Sequence, residues 1–429
     1  MQTRGDVEKP GQETPTALVG EETTQPRWQS MIWPWWNATL AVLPIFLITR
    51  IIFILLTYFG MVLFTVPNYS IHALSSIDFL KSWSHWDVHR YATIAAQGYV
   101  TPTYSAFFPL FPLLEHVVSL VTGGVVVAGM LISNIAFLGT LIVLYRFVET
   151  EFDSDTASRT TLYLAIFPTA LFFFAAYNES LFLFLMLLSV YTMRRGLWWV
   201  AGLFGGLATL TRSIALLLLV VFLYEFVRQE WPRLRLAWHE QRHWQALKLL
   251  SNLLASLLIP LGLGIYAYYL GRRFNDPLAF SHVERYWRVG PFPPWHGPYL
   301  ATRSILAFSP YTFSTTHNLI DLTMLALFFA LLMLCFVGPE RFAVNQWSIL
   351  AFGLMALMYP LFFPGIPGGV GLAYDVLPSM QRFVLEIFPC FILLARLGRR
   401  SWFHQIYLLL ALPLLAFFVL QFITGHWTV

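Results

Sequence analysis

The residues best suited to chemistry lie in short polar breaks of an otherwise apolar chain. The densest break is Ser84-His85-Trp86-Asp87-Val88-His89-Arg90-Tyr91. A carboxylate flanked by two imidazoles and an indole, near the start of a short helix that Gly98 would stop, could act as general base toward an incoming hydroxyl. The same Asp87 also suits a capping box, three residues after Ser84 as N-cap, where it would only complement the helix dipole. His85 and His89 share one helix face at i and i+4, but no third metal ligand is evident and no metal is expected. A second break, Tyr177-Asn178-Glu179-Ser180, puts a carboxylate between two apolar runs, where it costs free energy unless paired or wet. Arg212 and Arg382 each stand at the end of an apolar run, and a planar guanidinium can donate two hydrogen bonds at once to a phosphate. Glu386, four residues after Arg382, is the alternative partner for that arginine along one helix face. For Arg50, which lies within the first apolar run, Asp321 is a candidate partner.

The elements that hold these groups follow from composition. The 429 residues are 58% hydrophobic, 17% aromatic and 11% charged, with a mean hydropathy of +0.65. Soluble chains carry about 25% charged residues, so water-facing domains are excluded, and so is a disordered chain. A net charge of only +4 excludes a nucleic-acid partner. What remains is an all-α polytopic membrane protein. Its two cysteines, Cys335 and Cys390, lie in apolar runs and are expected to be free thiols.

Runs long enough to span fall near 38–64, 125–147, 160–176, 178–193, 197–211, 213–227, 249–270, 318–337, 347–363, 383–396 and 403–424, about eleven in all. Residues 1–37 are expected to be a disordered cytoplasmic tail without a cleavable signal, and 38–429 a single transmembrane domain. The segment 107–122 is apolar but carries Pro109, Pro112, Glu115 and His116. If it does not cross, 16 of the 26 Lys+Arg fall on the cytoplasmic side. A crossing would instead put the cluster Arg228, Arg233, Arg235, Arg242 and Lys248 outside, against the positive-inside rule. It is therefore read as an interfacial or re-entrant helix within a first external loop, 65–124. A second external loop, 271–317, holds Arg285, Tyr286, Trp287, Arg288 and the run PFPPWHGPY, which suits sugar stacking or an interfacial aromatic belt. No internal repeat favours an inverted-repeat transporter, and no soluble domain could hold a nucleotide.

Four blocks resemble the PIG-V family. They are HWDVHRYATIAAQGY followed by AFFPLFP, FPTALFFFAAYNESLF followed by GGLATLTRS, YWRVG at 286–290, and QRFVLEIFP at 381–389. The resemblance implies a GT-C integral membrane glycosyltransferase, whose first external loop carries an acidic residue between interfacial helices. Asp87 fills that position, and 107–122 would be one of the helices. Eukaryotic members add the second mannose of glycosylphosphatidylinositol (GPI) anchors from dolichyl-phosphate-mannose. The expected reaction is inverting transfer of mannose from a polyprenyl- or dolichyl-phosphate-mannose donor to a lipid-linked or glycan acceptor at the outer face, with Asp87 as base. Arg212 and Arg382 would hold the donor phosphate. His85, Trp86, His89, Arg90, Asn178, Glu179, Tyr286 and Trp287 would orient substrate. The leaving group is already a phosphate diester, so no cofactor or metal is expected. The Pro/Trp-rich loop resembles bacterial members, which implies the plasma membrane with the site on its extracytoplasmic face, or the lumen of the endoplasmic reticulum in a eukaryote. The alternatives are a lipid or glycan transporter or flippase, and a glycan ligase using lipid-diphosphate donors.

Overall fold

The computed structural model describes residues 27–66, 73–366 and 374–426. Among them the structure is helical, apart from an isolated bridge between Arg288 and Gly365. Six helices are long and apolar enough to cross a membrane: Ile32–Phe64, Val125–Glu151, His243–Phe274, Phe313–Val337, Val344–Phe362 and Ser401–Ile423. The first shows how such a helix divides its faces. Ala38, Val42, Phe53 and Met61 are buried, whereas Leu47, Ile51, Ile54 and Tyr58 form an exposed apolar stripe for lipid. That helix begins at Arg27, earlier than the expected end of the tail at 37; residues 1–26 lie outside the described part.

The remaining expected spans are helices that are shorter or, in Leu218–His239, more polar. They are Ser154–Ala165, Glu179–Arg194, Trp198–Thr209, Leu218–His239 and Phe388–Leu397. Glu179–Arg194 and Phe388–Leu397 are enclosed by neighbouring helices over almost their whole length, so protein rather than lipid covers them. Close backbone approach brings two others together. A Cβ on Gly262 would stand 2.1 Å from the carbonyl oxygen of Gly206, so the helices Trp198–Thr209 and Leu258–Phe274 meet through glycine faces. The glycines of GGLATLTRS thus seat the helix whose end delivers Arg212.

Polar groups gather at the two ends of Glu179–Arg194, a helix about 22 Å long at 1.5 Å per residue. At the Arg194 end, its guanidinium meets Glu151 at 2.8 Å and Glu225 at 3.1 Å, and Arg228 and Ser348 also bond Glu225. The Glu179 end is the candidate site. The described part of 65–124, expected to be the first external loop, holds the short helices Ser76–Lys81, Asp87–Gln97 and Leu110–Thr122, with a 3₁₀ turn Pro102–Ala106.

Candidate active site

The helix Asp87–Gln97 carries the first functional group. Its cap differs from the expected capping box: Trp86, not Ser84, is the N-cap, and it sits at φ 55° and ψ −118°. A non-glycine residue rarely adopts that backbone, and it persists only where its surroundings enforce it, at a cost of about 1–3 kcal/mol. Its effect is to place Asp87 in the first helical position with its side chain directed to the bundle. Gly98 stops the helix at φ 73°, as its position implied. Leu110–Thr122 packs alongside, tied on by His116 Nδ1 at 2.8 Å from the carbonyl of Ala95. The Leu110 N–H donates to the carbonyl of Leu210 at 2.9 Å, which fastens this pair of helices to the turn before Arg212.

Four chain segments join in one network that begins at Asp87. Arg382 Nη1 lies 2.7 Å from Asp87 Oδ2, and Arg382 Nε lies 2.5 Å from Glu179 Oε1. Arg212 Nη1 pairs with the same Glu179 Oε1 at 3.1 Å and also with Glu386 Oε1. The result is a chain of alternating charge, Asp87–Arg382–Glu179–Arg212–Glu386, with three carboxylates and two guanidiniums. Glu179 is wholly buried between the two arginines, whose side chains are 12% and 13% exposed, while Asp87 is the open end at 28%. Burial would lower the proton affinity of Arg382, but the carboxylates of Glu179 and Asp87 outweigh it and push the guanidinium above its ordinary value. Burial, then the charge of Glu179, raises the hydroxyl of Tyr91 beside them. Aromatic faces line the cations: Arg382 lies over Phe172 and Tyr177, and Arg212 over Phe182 and Phe383.

Among the described residues, neither Arg382 Nη2 nor Arg212 Nη2 has a partner, and no hydrogen bond reaches Asp87 Oδ1. The site therefore offers an accepting carboxylate oxygen next to guanidinium donors. That combination can take a proton from a hydroxyl while holding an anionic group.

Other expected site residues are distributed around this chain. Asn178 is buried and donates to the carbonyl of Thr211 at 2.9 Å, so it joins the turn bearing Glu179 to the turn bearing Arg212. His85 packs against Phe422 and Gly425, and its burial lowers its proton affinity. His89 is exposed, and Arg90 lies over the ring of Tyr104. Neither belongs to the ion chain. Tyr286 and Trp287 stay on the outside of the second loop; the loop reaches the site through Arg288, stacked on the same Phe383 that supports Arg212.

Two expected pairings are corrected. Glu386 does not pair with Arg382 but with Arg212, because the α-turn Met380–Phe383 gives way to a 3₁₀ turn at Val384–Glu386. Three residues per turn instead of 3.6 carries Glu386 off the face of Arg382. Asp321 is not the partner of Arg50. Arg50 donates to Asn134 Oδ1 at 2.6 Å and to the carbonyl of Phe173 at 3.0 Å, boxed by Phe46, Phe53, Phe137 and Phe174. Asp321 instead faces His317. Both cysteines are buried free thiols.

Comparison with known proteins adds a family match. The sequence profile described as mannosyltransferase (PIG-V) matches residues 45–296. The chain is 28% identical over 248 residues to GPI alpha-1,6-mannosyltransferase 2 of Cricetulus griseus, covering 50% of this chain and 48% of that protein. GPI mannosyltransferase 2 of Cryptococcus neoformans is 22% identical over 250 residues, covering 49% and 56%. The chain thus spans about half the length of the curated relatives it matches. Among solved structures, the Archaeoglobus fulgidus oligosaccharyltransferase tethered with an acceptor peptide aligns over 94% of this chain and 56% of its own at TM-score 0.43 and 11% identity. ArnT from Cupriavidus metallidurans bound to undecaprenyl phosphate aligns over 88% and 77% at TM-score 0.39 and 13% identity.

Proposed function

The chain belongs to the mannosyltransferase (PIG-V) family, and from that premise we propose that it transfers mannose from a polyprenyl-phosphate-mannose donor to a lipid-linked or glycan acceptor at the membrane surface. The family is one of integral membrane glycosyltransferases of the GT-C class, and this multi-pass helical chain is of that kind. The reading rests on one observation above the rest: the ion chain ends at a part-exposed Asp87 paired with Arg382, and Arg212 joins the same chain through Glu179.

The donor enters laterally from the bilayer with its phosphate at the Arg382–Arg212 end of the bundle. There the two guanidiniums take up charge that grows on the departing lipid phosphate, a contribution of about 3 kcal/mol per well-placed donor in comparable sites. Asp87 Oδ1 removes the proton of the acceptor hydroxyl. The oxygen then attacks the anomeric carbon from the side opposite the phosphate, the C1–O bond to phosphate breaks, and configuration inverts. Glu179, wholly buried, keeps the arginines apart and aimed. The site lies on the extracytoplasmic face, which is the side away from the Arg194 cluster and its companion cations.

The test is transfer in detergent from radiolabelled polyprenyl-phosphate-mannose to a lipid extract. Labelled product that depends on both lipids is expected. Failure to turn over this donor, with turnover of a lipid-diphosphate glycan instead, would replace the reading with a ligase.

A further inference from the structure

We propose that His317, Asp321 and Asp375 form a binding site for a divalent cation, with Zn²⁺ the best fit, that locks the segment bearing Arg382 onto the helix Phe313–Val337. This role is independent of which sugar the enzyme transfers. His317 and Asp321 stand one turn apart on that helix and are both buried. Asp375 comes from a separate segment, and its neighbours hold it in place. Asn318 Nδ2 and Ser314 Oγ donate to the carbonyl of Tyr374 at 2.6 and 2.7 Å, and the Val376 N–H donates to Asn318 Oδ1 at 3.1 Å. Bonds on both sides of Asp375 therefore fix where its carboxylate lies.

The spacing is that of ligands rather than of a hydrogen-bonded triad. One donor atom from each residue lies within 4.8 Å of the others. His317 Nδ1 is 3.3 Å from Asp321 Oδ2 and 3.3 Å from Asp375 Oδ2. Around a tetrahedral Zn²⁺ with bonds of about 2.0–2.1 Å, neighbouring ligand atoms stand roughly 3.3–3.4 Å apart. A charged N–H···O⁻ bond would draw them to about 2.7–2.9 Å. Among the described residues, none of His317 Nδ1, Asp321 Oδ2 or the two Asp375 oxygens makes a hydrogen bond, although all are buried. The remaining edge, between the carboxylates, can close by rotation of Asp375, whose side chain is the more exposed of the two.

Charge points the same way. Two buried carboxylates with one imidazole leave net negative charge even if the ring is protonated, whereas a divalent cation with a neutral ring balances them. The outer partners also suit a metal. Phe313 stacks on the His317 ring with centroids 5.2 Å apart, and Gln381 Nε2 lies 3.2 Å from His317 Nε2. With the Gln381 amide turned over, its oxygen accepts the Nε2–H, the usual second contact of a ligating histidine. Asp321 Oδ1 meanwhile accepts the backbone N–H of Gln381 at 3.2 Å, one residue before Arg382. The cation is thus linked to the ion chain through backbone, and it positions Arg382 without touching substrate.

The experiment uses the full chain in detergent, stripped with chelator and then given Zn²⁺ alone. Bound metal is counted by mass spectrometry after desalting, and unfolding temperature is followed in parallel. About one Zn²⁺ per chain and a higher unfolding temperature are expected, with both lost in His317→Ala and in Asp375→Asn. The second variant changes a less buried group and serves if the first fails to fold. Wild-type protein that retains no Zn²⁺, or variants that retain it equally, would overturn the proposal. Full displacement of Zn²⁺ by equimolar Mn²⁺ would overturn the choice of metal.

Discussion

Arg382 is the link that ties Asp87 to the buried Glu179, so Arg382→Lys gives the sharpest mutational reading. The arginine uses two separate nitrogens, Nη1 for Asp87 at 2.7 Å and Nε for Glu179 at 2.5 Å. A lysine keeps the charge but brings a single nitrogen on a thinner stem, so it can satisfy one carboxylate well and the other poorly. The Asp87 contact is a hydrogen bond between charged groups, which contributes about 1.5–3 kcal/mol, and its loss from the transition state converts to a fall of roughly 10- to 150-fold in kcat/KM. Arg382→Met goes further, because it leaves wholly buried Glu179 with Arg212 alone; loss of one partner from a buried pair costs about 3–5 kcal/mol of stability. The assay is transfer from polyprenyl-phosphate-mannose, run beside thermal unfolding. Arg382→Lys should fold near wild type with the stated loss of transfer, and Arg382→Met should lose both. A lysine variant as active as wild type would refute the claim that two-nitrogen geometry matters here.

Two other outcomes follow from the packing around the site. Glu115 is fully buried without a hydrogen-bond partner among the described residues, and burial pushes its carboxyl from 4.5 to about 9. Between those values the folded protein holds a proton that the unfolded chain has released, so stability falls as pH rises, by up to about 1.4 kcal/mol per pH unit. Glu115→Gln should remove that slope, so its unfolding temperature gains on wild type from about pH 5.5 to pH 8.5; parallel curves would contradict the argument. Gly262→Ala would place a methyl group 2.1 Å from the Gly206 carbonyl oxygen. The two helices must then part, at a cost of about 1–3 kcal/mol, with Arg212 displaced and transfer reduced. Unchanged unfolding temperature would show that the contact relaxes freely.

Residue type and position were enough to single out Asp87, Glu179, Arg212 and Arg382, because charged groups at the ends of apolar runs are costly and must have a use. Their mutual pairing was not legible, since it joins segments nearly 300 positions apart. Glu386 illustrates the limit: the i,i+4 rule held only while the helix stayed α, and the 3₁₀ turn at Val384–Glu386 broke it. Arg50 shows a second limit, because a neutral Asn134 and four phenylalanine rings satisfy it where charge pairing alone would call for a carboxylate. Nothing in the sequence marks His317 and Asp321 as a pair beyond their one-turn spacing, and Asp375 joins them only through folding of a separate segment. The short buried helices are legible as apolar runs, yet their composition says little about whether lipid or protein covers them.

The central claim is that Asp87 takes the proton of the acceptor hydroxyl, and Asp87→Asn tests it most directly. The amide keeps an oxygen for Arg382 but cannot act as base at neutral pH. Transfer from radiolabelled polyprenyl-phosphate-mannose should fall at least about 100-fold in kcat, with the unfolding temperature within a few degrees of wild type. An Asp87→Asn protein that transfers mannose at the wild-type rate would contradict the account.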